Sequence, residues 1–224
     1  MIHPALPPTT QPEKPGETSP GERYRSNLNA GWRFKQGEVP KAFEPTCDDQ
    51  NWEQINLPHT WNVKDTRDDE PGYYRGAGWY RRSLKLPAQL AGQRLFLCFE
   101  AANTVTDLWL NGRRVGQHVG GYTGFTFEIT SFVEVGDDKS NWVAVRVDNR
   151  HRADVPPLSA DFDFAGGIYR DVWLLATNPV HFDILNEAGP GVFAFAEGLA
   201  DGSPRLRVRG SLLNDDIRVR ELRV

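Results

Sequence analysis

An all-β sandwich is the fold class this sequence predicts, and three observations predict it. All seven tryptophans lie between Trp32 and Trp173, which locates the main core. Within that span apolar residues recur with period two, not 3.6. The runs are short and are cut by Gly, Pro, Asn and Asp at intervals of roughly ten residues, the spacing of strands joined by tight turns.

In chain order, "TCDDQNWEQI" (Thr46–Ile55) holds the clearest helix signal, with Asp48 or Asp49 as N-cap before one or two turns carrying Trp52. "WYRRSLKLP" (Trp79–Pro87) alternates as a strand and stops at Pro87. "QRLFLCFEA" (Gln93–Ala101) is nearly continuous in apolar residues and reads as an interior strand, with Cys98 a buried thiol. In "TDLWLNGRRVGQH", Asn111-Gly112 supplies the two positive-φ residues of a type I′ turn, so Leu108–Val115 is expected to form a tight hairpin. "GFTFEIT" and "NWVAVRVDN" are further strands. In the second, Trp142, Ala144 and Arg146 face one side and Val143, Val145 and Val147 the other. "IYRDVWLLAT" (Ile168–Thr177) closes the domain.

Composition changes on both sides of this span. Residues 1–26 begin with six prolines in the first 22 positions and no apolar h-region, which reads as a disordered leader and not a signal peptide. After Pro179 tryptophan vanishes. "SPRLRVRGSLLN" and "DIRVRELRV" alternate as strands of a second β unit, too few to be stable alone. The expected organisation is therefore a leader over 1–26, a sandwich over 27–179, and an unfinished second unit over 180–224.

Several function classes are excluded or left open by the same reading. A net charge of −4 with both signs interspersed provides no basic field for nucleic acid and no polybasic membrane anchor. No apolar run approaches the roughly 20 residues of a membrane helix. Cys47 and Cys98 have no metal or redox spacing, His118 and His151 have no partners at metal spacing, and the compartment cannot be read.

"SADFDFAGGIYRDVWL" (Ser159–Leu174) poses the chemical question. Asp161 and Asp163 on an extended segment lie on one face, about 6.5–7 Å apart by Cα. A catalytic acid and a carboxylate nucleophile need different environments to hold different pKa values, which one short segment does not provide. A hard-cation site needs more oxygen ligands than the neighbouring Phe162, Phe164, Ala165 and Gly166 supply. Two passive or binding roles stay open: capping of backbone N–H groups before the Gly166-Gly167 turn, or acceptance of sugar hydroxyls beside an apolar phenylalanine face. Arg170 reads as an ion-pair or backbone donor, His59 as a packed, hydrogen-bonded histidine, and Trp79 and Tyr80 as core. The long charged loop from Lys64 to Gly76 has the character of a functional loop without a motif residue to single out.

In their order, "LNAGWRF", "DDQNWEQINLPHTWN", "GAGWYRRSL", "DLWLNGRRVGQHVGGYTGFTFEIT" and "DFAGGIYRDVWL" make the sequence similar to the N-terminal part of family 2 glycoside hydrolases, the β-galactosidase, β-glucuronidase and β-mannosidase group. The resemblance runs from about Asn27 to the C-terminus. It implies a jelly-roll, galactose-binding-like sugar-binding domain over 27–179, followed by the first strands of an immunoglobulin-like sandwich over 180–224. In this family a (β/α)₈ barrel comes next and carries the two catalytic glutamates. No strand–helix alternation of that kind occurs in these 224 residues, so the chain alone is expected to be inactive. An aspartate seven residues before the isoleucine of "GIYR" contacts the substrate sugar in family 2 enzymes; that position here is Asp161, and Asp163 is not carried over. The resemblance implies a β-galactosidase-type retaining hydrolase as parent, homo-oligomeric, acting on a carbohydrate substrate. It implies no cofactor, and leaves room for a cation near Asp161 in the full-length enzyme. Two rival expectations are an autonomous carbohydrate-binding module and a structural or oligomer-interface domain.

Overall fold

A computed structural model describes residues 23–65, 72–159, 163–200 and 202–221. The elements in order are β1 (Tyr24–Asn27), β2 (Trp32–Gln36), β3 (Glu53–Ile55), α1 (Asn62–Asp65), β4 (Ala77–Leu84), β5 (Arg94–Phe99), β6 (Val105–Leu110), β7 (Arg113–Val119), β8 (Phe125–Glu128), β9 (Asn141–Asp148), β10 (Val172–Thr177), β11 (Val180–Phe182), β12 (Val192–Glu197), β13 (Arg205–Gly210) and β14 (Leu212–Asn214). Two antiparallel sheets form the sandwich. One has the order β1-β10-β5-β8, the other β3-β2-β4-β9-β6-β7.

Period-two patterning places the core between these sheets. Leu95, Leu97 and Phe99 of β5 and Val172, Leu174 and Ala176 of β10 face Tyr80 and Leu84 of β4 and Val143, Val145 and Val147 of β9 in one buried cluster. The alternation expected for residues 141–149 is thus realised, and β5 lies inside its sheet with neighbours on both sides. The hairpin also forms as expected: Asn111 has φ 51° and Gly112 φ 81°, and β6 pairs β7 across them. Trp79 and Tyr80 are both buried, on opposite faces of β4.

The segment read as a helix is instead a turn followed by strand β3. Trp32, Arg33 and Phe34 of β2 pair with Ile55, Gln54 and Glu53, so sheet pairing overrides a local cap signal that only two or three backbone bonds would have supported. Asp49 takes a different part from capping. Residues 37–52 fold over the outer face of the six-stranded sheet, where Trp52, Trp79, Ala42 and Ala144 form a second buried cluster. There Arg81, fully buried, donates through Nε to Asp49 Oδ2 at 2.8 Å and through Nη1 to the carbonyls of Ala42 and of Glu44. Asp49 is 7 % exposed, so this charge pair is buried.

At the N-terminal boundary, Tyr24, Arg25 and Ser26 pair with Ala176, Leu175 and Leu174, so ordered strand begins inside the stretch read as leader. Residues 1–22 of that leader lie outside the described residues. Beyond Thr177, β11 pairs with β14 and β12 with β13. Of the second run read as a strand, "DIRVRELRV", the described residues 216–221 form bends and irregular chain, and 222–224 lie outside the description. Cys98 is a half-buried free thiol, raised in pKa by its desolvation.

Candidate functional site

Strand β9 ends at Asp148, and the chain then runs through an irregular segment back to β10. This segment carries the two aspartates. Asp161 lies outside the described residues. Asp163 is described and is exposed, and it makes no hydrogen bond or ion pair to a described residue. The capping role left open for it from sequence is therefore performed by other side chains. Three asparagines do it.

The first is Asn149, fully buried at the end of β9. Its Oδ1 accepts the Gly76 N–H at 2.8 Å. Its Nδ2 donates toward the carbonyls of Phe164 (3.0 Å) and Tyr74 (3.2 Å) and toward Asn62 Oδ1 (3.3 Å). Asn62, at the start of α1, accepts the Gly166 N–H through that same oxygen at 2.7 Å, and donates to the Tyr74 carbonyl and to Asp65 Oδ2. Asn103, between β5 and β6, donates to the Ala165 carbonyl at 3.0 Å, while its backbone bridges Gly167. Residues 164–167 are thus held at both backbone donors and acceptors by amides from three distant parts of the chain. Buried backbone groups in a loop require such partners.

The two glycines are required by space. A Cβ on Gly166 would stand 2.1 Å from Trp61 Cζ2, and Gly167 has φ +127°, with His59 O only 2.5 Å from a built Cβ. Below them lies a hydrogen-bond chain. The Ile168 N–H points at the Tyr80 hydroxyl (3.4 Å), and that hydroxyl lies 2.9 Å from His59 Nδ1. The Tyr80 hydroxyl and His59 Nδ1 share a hydrogen bond, and the apolar packing around the ring favours its neutral form. Burial lowers the His59 pKa from 6.5 in agreement with this, and the ring packs on Phe34 at 4.6 Å. His59 is packed and hydrogen-bonded, as read from sequence.

On the outer side of the segment the Phe164 N–H donates to the Tyr73 hydroxyl at 3.0 Å. Arg75 lies over both the Tyr73 and Phe164 rings, at 5.8 and 5.3 Å, and donates to the Asn149 carbonyl. Arg75, Asn103, Tyr122, His151, Pro156 and Phe164 line a small cleft there. Arg170 is exposed and pairs with no described carboxylate, in contrast to the ion-pair reading. Among the described residues no group of three His, Cys, Asp or Glu is placed to hold a metal ion.

Residues 25–179, the whole sandwich including this site, match the model of the glycosyl hydrolases family 2 sugar binding domain. The chain belongs to that family. It is 36% identical over 187 residues to a β-glucuronidase of Bacteroides fragilis, covering 84% of this chain and 26% of that protein. It is 35% identical over 157 residues to a β-galactosidase of Thermoanaerobacter pseudethanolicus, covering 69% and 21%. The crystal structure of a Bacteroides uniformis β-glucuronidase superimposes with a TM-score of 0.81 at 40% identity, over 87% of this chain and 23% of that one. The family 2 chain described here thus spans about a quarter or less of the length of the relatives it matches.

Proposed function

We propose that this chain is the N-terminal portion of a larger family 2 hydrolase that removes terminal β-linked sugars with retention. The observation that carries the reading is the conjunction of a family match over 25–179 with coverage of only 21–26% of the matched relatives' length. The catalytic carboxylates reside in a barrel downstream, and residues 180–224 begin an immunoglobulin-like sandwich. The present domain buttresses that barrel and lends Asp161 to the sugar pocket as a hydrogen-bond acceptor. The amide-held frame at 164–167 supports this role, because a residue that contacts substrate gains precision from a rigid mount. Relatives of both β-glucuronidase and β-galactosidase type support the hydrolase class and do not favour the galactoside expected from sequence over a glucuronide.

The test is made in the full-length enzyme. Activity on matched aryl β-galactoside and β-glucuronide substrates identifies the sugar. Asp161→Asn keeps the shape and weakens a charge-assisted hydrogen bond, so kcat/KM falls by roughly 10- to 150-fold while the unfolding temperature barely moves. Asp163→Asn does much less. Asp161→Asn that lowers the unfolding temperature and leaves kcat/KM intact would assign Asp161 to a structural role. The 224-residue chain alone is expected to be silent on any aryl glycoside, and turnover abolished by Asp161→Ala in it would overturn the reading.

A further inference from the structure

The outer face of the four-stranded sheet carries an open cleft of about 600 Å³, within the range of small-molecule sites. Its floor is one row across the sheet, in which Trp173 of β10 stands beside Cys98 of β5 and Cys98 beside Thr126 of β8. Segment 184–190 forms one wall. The row is on the side away from the core, since the alternate residues Leu97 and Leu174 are the ones buried between the sheets.

The cleft is cationic. Among the described side chains, Arg23, Arg25 and Arg170 line it together with one carboxylate, Glu100. Arg23 donates to the Pro190 carbonyl and pairs with no described carboxylate. Arg170 has no described partner. Glu100 is engaged by the Trp173 indole N–H at 3.0 Å and is 4.0 Å from Arg25, both side chains being about half exposed, so it offsets little of the positive charge. The field of Arg25 and Arg23 reaches the Cys98 thiol at the floor, which burial nevertheless keeps protonated.

The apolar part of the cleft sets the ligand's shape. Arg25 lies over the Trp173 ring at 3.7 Å, so an aromatic base finds that face of the indole already covered. A sugar ring needs only an apolar edge, which Leu175 and the rest of Trp173 offer, and hydroxyl partners, which Thr126 and the guanidinium groups provide.

We propose that this cleft binds a saccharide bearing a carboxylate, a uronate, with Arg170 and Arg25 on the carboxylate and Trp173 against the ring. The site uses only residues of this chain, so its test is independent of the reading of the downstream catalytic domain.

The test is a titration of the ¹⁵N-labelled 224-residue chain with glucuronate, with glucose and with inorganic sulfate, read at the Trp173 indole N–H and assigned with Trp173→Phe. Glucuronate is expected to shift that resonance saturably, and glucose and sulfate to do so much more weakly. Arg170→Ala, whose exposed side chain has no described partner, is expected to leave the unfolding temperature unchanged and to weaken glucuronate on the order of tenfold or more. Glu100→Gln keeps the acceptor for Trp173, removes the competing carboxylate and is expected to tighten binding. Sulfate matching glucuronate would identify an adventitious anion only. Glucose matching glucuronate, no shift at tens of millimolar, or an Arg170→Ala chain that binds as well as the parent would each overturn the proposal.

Discussion

Replacing Asn149 by alanine tests whether the amide frame holds the segment between β9 and β10. The side chain makes four polar contacts, with Gly76 N, Phe164 O, Tyr74 O and Asn62 Oδ1. An amide nitrogen has two hydrogens, so the three acceptors share two donors and the number of full bonds is nearer three. At about 1 kcal/mol net per bond the loss is about 3 kcal/mol. It is not softened by water, because Asn149 is fully buried and the Gly76 N–H would be left without its acceptor. For a chain of this size each kcal/mol corresponds to roughly 2–4 °C, so the unfolding temperature should fall by roughly 6–12 °C. Calorimetry of the purified chain measures this. Asn149→Asp should recover part of the loss, since one carboxylate oxygen still accepts from Gly76. Arg152→Ala, which removes only an exposed pair with Asp154, is the control and should change little. An Asn149→Ala chain melting within a degree of the parent would refute the argument that this side chain holds the loop.

Three further outcomes follow from the same structure. Arg81→Ala leaves the Asp49 carboxylate buried without its partner and should destabilise the chain by about 3–5 kcal/mol in urea unfolding, whereas removing the exposed Lys41–Glu44 pair should be near neutral. His59 has a folded-state pKa below its unfolded value of 6.5, so the unfolded chain takes up protons first: its stability contribution is complete above that value and is lost as pH falls through the folded-state pKa. His59→Phe should flatten that part of the stability–pH curve. Limited proteolysis should cut first between Val180 and Ser203 while the sandwich survives, because among the described strands β12 and β13 pair only with each other and leave Phe195, Leu206 and Val208 exposed; equal resistance along the chain would count against this.

By itself the sequence determined the all-β class, the Asn111-Gly112 turn and the inward set Val143, Val145 and Val147, because strand alternation and turn chemistry are written within a few residues. It also displayed the family motifs, and with them the one position, Asp161, proposed above as a substrate contact. Tertiary structure alone decided the rest. Thr46–Ile55 carries a legitimate cap signal, yet β2 offered Glu53–Ile55 a sheet ladder that a one-turn helix could not match. Asp49 found Arg81 thirty-two positions away. The loop's supports, Asn62, Asn103 and Asn149, carry no local signal of that role, because an asparagine in a connecting segment looks like any turn residue. What distinguishes them is that separate parts of the chain bring them to one place, where their amides meet the backbone of 164–167 and satisfy its donors and acceptors. A pattern with period two records which side of a sheet a residue faces; which loops then meet at the sheet's end depends on how every strand is ordered, and no short window of sequence contains that order.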